Sequence, residues 1–169
     1  MAARVMGMDE SESRAWIALV SLAQALTPAL DTRLRPLGLT AFELGALVTL
    51  SNAPGRSLRI SRLAELTHAP LPRMSKVVAR LEAKALVRRS ACQADARATS
   101  LELTTDGQHA ILAALPTYTD EARALVLSKL RPDQITMLAD ILEPIALELD
   151  PNGPVARGRS GQCGVSHSD

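Results

Sequence analysis

Four cations recur in the segment PLPRMSKVVARLEAKA: Arg73, Lys76, Arg80 and Lys84. Their spacings of 3, 4 and 4 put them on one face of a helix. Met74, Val77, Val78, Leu81 and Ala85 repeat on the opposite face. A helix of this kind buries one side and holds out a row of positive charge on the other. Such a row fits phosphates, and an arginine fork also matches O6 and N7 of guanine. Ser75, between Arg73 and Lys76, adds a short hydroxyl contact. A second group lies in LVRRSACQADARATSLELTTDG, where two alternating runs flank the polar loop CQADARA. Arg89 sits in the first run, and Asp95 and Arg97 sit two residues apart in the loop. An exposed ion pair stabilises by only about 0–1 kcal/mol, so aiming Arg97 is a better account of Asp95 than stability.

The chemistry of an enzyme is missing from the pattern. There is no P-loop, no G-x-S-x-G, no H-E-x-x-H and no cluster of carboxylates. Cys92 and Cys163 match no metal spacing, and His68, His109 and His167 are scattered. No cofactor is expected. The composition is that of an ordinary globular chain, 47% hydrophobic and 22% charged. Only Trp16, Phe42 and Tyr118 are aromatic, which argues against single-stranded nucleic acid, where bases stack on rings. No apolar run is long enough to span a bilayer and no disulfide framework is present, so a cytoplasmic protein without a membrane partner is expected.

The net charge of +1 conceals a strong asymmetry. Between Arg56 and Arg97 there are ten bases and three acids, while the remainder carries nine bases and fifteen acids. A basic block between acidic flanks points to a polyanion partner. A solvated helical face is the plainer alternative for such a run.

The elements that must position these groups follow from local signals. Residues 11–36 read as a helix that Pro28 should kink or restart. Thr40 and Glu43 form a capping box that opens a second helix. SLRI suits one short strand, ISRLAELTH a short helix, and Pro70 and Pro72 mark the start of the basic helix. The alternating runs then predict a two-stranded hairpin with a long loop. Thr105 and Gln108 suggest a further capping box opening a helix to about Ser128, bent at Pro116. Pro132 starts a last helix with an apolar stripe at Ile135, Leu138, Leu142, Ile145 and Leu149. Helix, turn, helix and hairpin in that order make a winged helix-turn-helix. In that arrangement the basic helix enters a major groove, and Arg97 on the wing suits the narrow, negative minor groove.

The run VVARLEAKALVRRSACQADARATSLELTTDG resembles the MarR family of bacterial transcriptional regulators. The similarity lies in Arg80-Leu81-Glu82, Leu86-Val87-Arg88-Arg89, Asp95-Ala96-Arg97 and Leu103-Thr104-Thr105-Asp106-Gly107, and it extends over roughly residues 11–148. The resemblance implies a mainly α fold with a small β-hairpin wing, carrying N- and C-terminal dimerisation helices. It implies a homodimer on a pseudo-palindromic double-stranded DNA operator, and a small aromatic or amphipathic effector. The expected layout is a flexible N-terminus at 1–10, a domain at 11–150 and a disordered tail at 151–169. Within the domain, the winged helix-turn-helix covers about 40–104 and the dimerisation helices about 11–36 and 105–149. The expected DNA contacts are Arg73, Ser75, Lys76, Arg80, Lys84, Arg89, Asp95 and Arg97. Trp16, Phe42 and Tyr118 are the aromatic candidates for an effector site. The chain departs from the family pattern at Ala85, where glycine is usual, and at Pro28, Pro72 and Arg73. Two other readings stay open: a winged helix used for protein contact, and a redox sensor using Cys92 with Arg88 and Arg89 lowering its pKa.

Overall fold

The computed structural model describes residues 5–92, 95–151 and 153–156, with the backbone alone described for 91, 92 and 95–99. Helix α1 spans Glu10–Leu34 and starts at a D-x-x-E box, in which Asp9 accepts from the Glu12 amide and Glu12 accepts from the Asp9 amide. Helix α2 spans Ala41–Ser51 and opens at the expected Thr40–Glu43 box, with both bonds at 3.1 Å. Strand β1, Ser57–Arg59, and helix α3, Ile60–Leu66, lead to the basic helix α4, Leu71–Ala83. Strands β2, Val87–Cys92, and β3, Asp95–Leu103, precede helix α5, Thr105–Leu125, and helix α6, Pro132–Leu149.

Pro28 does not restart α1, and Pro116 and Pro144 likewise lie inside continuous helices. A proline frees the carbonyl four residues earlier. Here those residues are Gln24, Leu112 and Asp140, all exposed, so water can satisfy the freed groups.

Two expectations about the wing need correction. The sheet has three strands in the order β1-β3-β2, all antiparallel, because Leu58 pairs with Leu101 and so adds β1 to the hairpin. The hairpin strands also run further than the alternating pattern suggested. Cys92 pairs with Asp95 after a register shift at Ala91/Cys92, so Asp95 and Arg97 belong to β3 rather than to a long loop.

The cap of α5 is also one residue earlier than expected. Thr104, not Thr105, is the N-cap, and its hydroxyl oxygen accepts from the Gly107 amide at 2.9 Å. The same hydroxyl donates to the Ala85 carbonyl at 2.7 Å, and the Thr104 amide donates to Leu86 at 3.2 Å. Gln108 instead bonds the Arg56 guanidinium. Gly107 is required by proximity: a Cβ there would sit 2.1 Å from the Leu86 carbonyl oxygen.

The core gathers Leu34, Leu47, Leu50, Leu63, Leu101 and Ile111 around the buried face of α4. Helix α6 has no buried residue. Beyond it, residues 154–156 form a helical turn, and the expected disorder from 157 onward lies outside the described residues.

Helix α4 ends in a Schellman motif, with Leu86 N–H donating to Leu81 and Ala85 N–H to Glu82. The motif needs a left-handed residue, and Ala85 supplies it at φ 57°. Its Cβ costs about 1–2 kcal/mol in that region, offset in part by the lower unfolded-state entropy of alanine. Ala85→Gly is therefore expected to stabilise the protein by about 0.5–1 kcal/mol, measured as an increased urea midpoint with unchanged m-value.

Candidate nucleic-acid interface

Helix α4 buries Met74, Val77, Val78 and Leu81 and turns Arg73, Ser75, Lys76 and Arg80 outward. The apolar residues lie at positions i, i+3, i+4 and i+7, so their burial fixes the helix rotation and the exposed face follows. Its N-cap is Pro70, which makes no side-chain cap, so no side chain of the cap competes with a phosphate for the first-turn amides.

Beneath the C-terminal half of α4 lies a buried acid. Glu43 is 2% exposed, yet both its oxygens are occupied. Arg80 Nε donates to Oε1 at 2.8 Å, while Oε2 accepts from Lys84 Nζ at 3.2 Å and from the Thr40 amide at 3.1 Å. Lys84 also donates to the Gly38 carbonyl at 2.6 Å. Burial pushes the Glu43 carboxyl up, but the bonds from Arg80, Thr40 and Lys84 together outweigh it and hold the group below the usual carboxylate range. Lys84, at the C-cap of α4, is thus a tether from α4 to α2 and to the turn after α1, with its side chain still 37% exposed.

The other predicted contacts sort into three groups. Arg73 lies over the Phe42 ring, 4.4 Å from its centroid, so this helix-start arginine is braced by α2. Ser75 and Lys76 are exposed and make no side-chain hydrogen bond or ion pair among the described residues. Arg89 reaches from β2 to Glu82 of α4 at 2.9 Å, and Arg88 meets Glu102 directly across the wing at 2.7 Å. The Glu102 carboxyl is held low by the Ser90 hydroxyl and then by Arg88. The side chains of Asp95, Arg97 and Cys92 lie outside the described residues, so the wing ion pair and the thiol both remain sequence expectations.

The three aromatic candidates do not share one site. A cavity of about 1130 Å³ is lined by α2, α3 and Pro151, Pro154 and Ala156, including Phe42, Thr49 and His68 but neither Trp16 nor Tyr118. Trp16 is half exposed on α1, and Tyr118 packs against the core from α5. Asp150, just after α6, meets His68 in the turn after α3 at 2.7 Å. Sequence reading missed Glu43 as more than a cap; its position under Arg80 depends on the α2–α4 crossing. No group of three or more His, Cys, Asp or Glu residues that could hold a metal occurs among the described residues, and no described helix is long and apolar enough to cross a membrane.

A helix-turn-helix joined to a three-stranded antiparallel wing, with its outward helix lined by cations, is a winged helix-turn-helix nucleic-acid-binding module. The MarR family model matches residues 37–98, which run from the turn after α1 into the wing. AbsC, a MarR family transcriptional regulator from Streptomyces coelicolor, is 31% identical, with 88% of this chain and 100% of that one covered at a TM-score of 0.77. Sco3205, from the same organism and solved in complex with DNA, is 32% identical over 86% of this chain and 95% of that one, also at 0.77. Wild-type MarR from E. coli shares the fold at 21% identity and a TM-score of 0.68, covering 77% of this chain and 95% of that one. The chain belongs to the MarR family and is a DNA-binding transcriptional regulator.

Removing both cations from Glu43 leaves a buried carboxylate with only a backbone partner. Arg80→Ala/Lys84→Ala is expected to lose about 2–3 kcal/mol, more than its two single variants together. This is less than for a fully buried pair because both cations reach solvent. The pH dependence has a definite sign. Folding lowers the Glu43 pKa, so its contribution is full above the unfolded value of about 4.3 and fades as pH falls through the lower folded value. Urea titrations between pH 3 and 7 check both points, with Glu43→Gln giving a flatter acid limb than wild type.

Proposed function

We propose that the chain acts as a homodimeric, ligand-responsive repressor on a pseudo-palindromic operator. The observation that carries this reading is the uncovered apolar surface of the long helices. Ile135, Ile141, Leu142, Ile145 and Leu149 of α6 and Trp16, Leu19 and Leu22 of α1 are all exposed in a single chain. Isolated soluble domains rarely leave so much large apolar side chain in water. Covering such a residue is worth about 1.5–3 kcal/mol when complete. Eight from each protomer, even half covered, offset an association cost of about 4–15 kcal/mol. A two-fold axis through these helices would set two α4 helices about 34–36 Å apart, one turn of B-DNA.

The ligand arm of the proposal draws support from Phe42. Its ring is a wall of the cavity and also the platform under Arg73 at the start of α4. A small aromatic or amphipathic compound there would act by changing the separation or tilt of the two DNA-binding lobes, and would shift the equilibrium only by binding the DNA-competent and DNA-incompetent spacings unequally. Repression would follow from two lobes occluding a promoter. The protein-contact reading has no comparable support among the described residues, and the Cys92 thiol of the redox reading lies outside them.

Two experiments test the proposal. In the first, light scattering at micromolar concentration is expected to show a dimer, and genomic fragments retained by the pure protein are expected to share a two-fold symmetric motif. A monomer, or retained fragments without symmetry, defeats it. Adding small aromatic acids and phenols to the same retained fragments tests the ligand arm, which fails if none alters affinity. The second addresses the wing. Arg97→Ala should weaken operator binding by about 1–3 kcal/mol. Asp95→Ala should do less harm, since it frees the guanidinium but removes a charge that repels phosphate. A double-mutant cycle in which the two effects simply add shows that Asp95 does not aim Arg97.

A further inference from the structure

We infer that Glu43 is a positioning residue for sequence readout: from beneath α4 it fixes Arg80 in one direction and holds Lys84 inward, so that the helix discriminates between sequences instead of merely attracting phosphate. The inference rests on the DNA-binding role of α4.

The geometry supports this division of labour. Glu43 lies on α2, away from the exposed face of α4, and is 2% exposed, so it never meets DNA itself. Among the described residues it grips Arg80 through Nε alone. Neither terminal nitrogen of that guanidinium makes a hydrogen bond to those residues, and the side chain is 54% exposed. An arginine held at its root has already lost its rotamer freedom, so the ordering cost of a directed contact is met before DNA arrives. Lys84 is treated differently. Two of its three N–H donors point inward, to Gly38 and to Glu43. An ammonium is a point charge that favours any phosphate, whereas a fixed guanidinium fork has a preferred direction. The negative charge of Glu43 therefore cancels part of the undirected attraction while aiming the directed group.

Stability is a poor explanation for placing a carboxylate there. Well-packed apolar residues commonly replace a buried ion pair without loss. The capping role does not require the charge either, since glutamine closes the same box. What a charge adds at this position is control over two cations on the DNA-facing helix.

The test uses the full-length protein, a duplex recovered from the retained genomic fragments and an unrelated duplex of equal length, with affinities measured at several salt concentrations. Glu43→Gln keeps size and cap. It is expected to tighten binding to the unrelated duplex and to steepen its log–log salt slope by up to about one unit. Operator affinity should not follow, so the ratio of the two affinities should fall about tenfold, within the range of one specific contact. Arg80→Lys keeps the charge and loses the fork. It should reduce the ratio similarly, and adding Glu43→Gln to it should reduce the ratio little further. The Arg80→Lys variant decides the matter if Glu43→Gln does not fold. An unchanged ratio in a folded variant overturns the inference, as do fully additive losses in the double variant, while wild-type specificity leaves the DNA-binding role standing. If the wild type shows no salt-dependent binding to any duplex, that role fails and the inference fails with it.

Discussion

Met74, Val77, Val78 and Leu81 must leave water together, and they can do so only if α4 lies in one rotation against the core. Each is worth about 1.5–3 kcal/mol on full burial, more than any single surface contact in the DNA lobe. That rotation sends Arg73, Ser75, Lys76 and Arg80 outward whatever they bind. It also fixes where α4 ends, and so where the chain enters the wing. The Schellman turn at Ala85 delivers Leu86 to the Thr104 amide, and Thr104 in turn bonds Ala85 and caps α5. One helix burial thus sets recognition surface, wing and the first turn of α5 in a single rigid piece.

Charge is organised within this frame rather than scattered over it. Of the cations expected to meet DNA, Arg80 and Lys84 share Glu43, Arg73 rests on Phe42, and Arg89 is tied to Glu82. The exposed Arg89–Glu82 pair adds little stability, but each of these contacts restricts the direction in which a long side chain can reach. Ser75 and Lys76, near the start of α4, make no such bond among the described residues. The helix therefore combines braced groups with free ones, as a surface that both reads and attracts would require.

The long helices are incomplete in a different sense. Leu30 and Leu34 of α1 are buried against the lobe, while Trp16, Leu19 and Leu22 further up the same helix remain in solvent. Helix α6 contributes nothing to the core of its own chain. A regulator of this family thus presents one finished lobe and one apolar surface. The two differ because the lobe closes its core locally, over residues 34–114, whereas the exposed apolar side chains of α1 and α6 find no cover among the described residues.

Much of this was written in local sequence. The Thr40–Glu43 box, Pro132 at a helix start, the two faces of α4 and the left-handed position at Ala85 are each set within a few residues, by capping and by the helical period. Near misses came where neighbouring residues could play the same part. Thr104 and Thr105 both suit an N-cap, and only the approach of the Ala85 and Leu86 backbone selects Thr104. SLRI alone suits a strand but cannot name its partner; Leu101 supplies it, since pairing is a property of two segments and not of one. The pairing of Glu43 with Arg80 was out of reach altogether. Sequence determined that Glu43 would cap α2 and that Arg80 would face outward from α4. Only the crossing of the two helices decided that the cap would also be a counter-ion, because 37 residues separate the partners and no periodicity spans that interval.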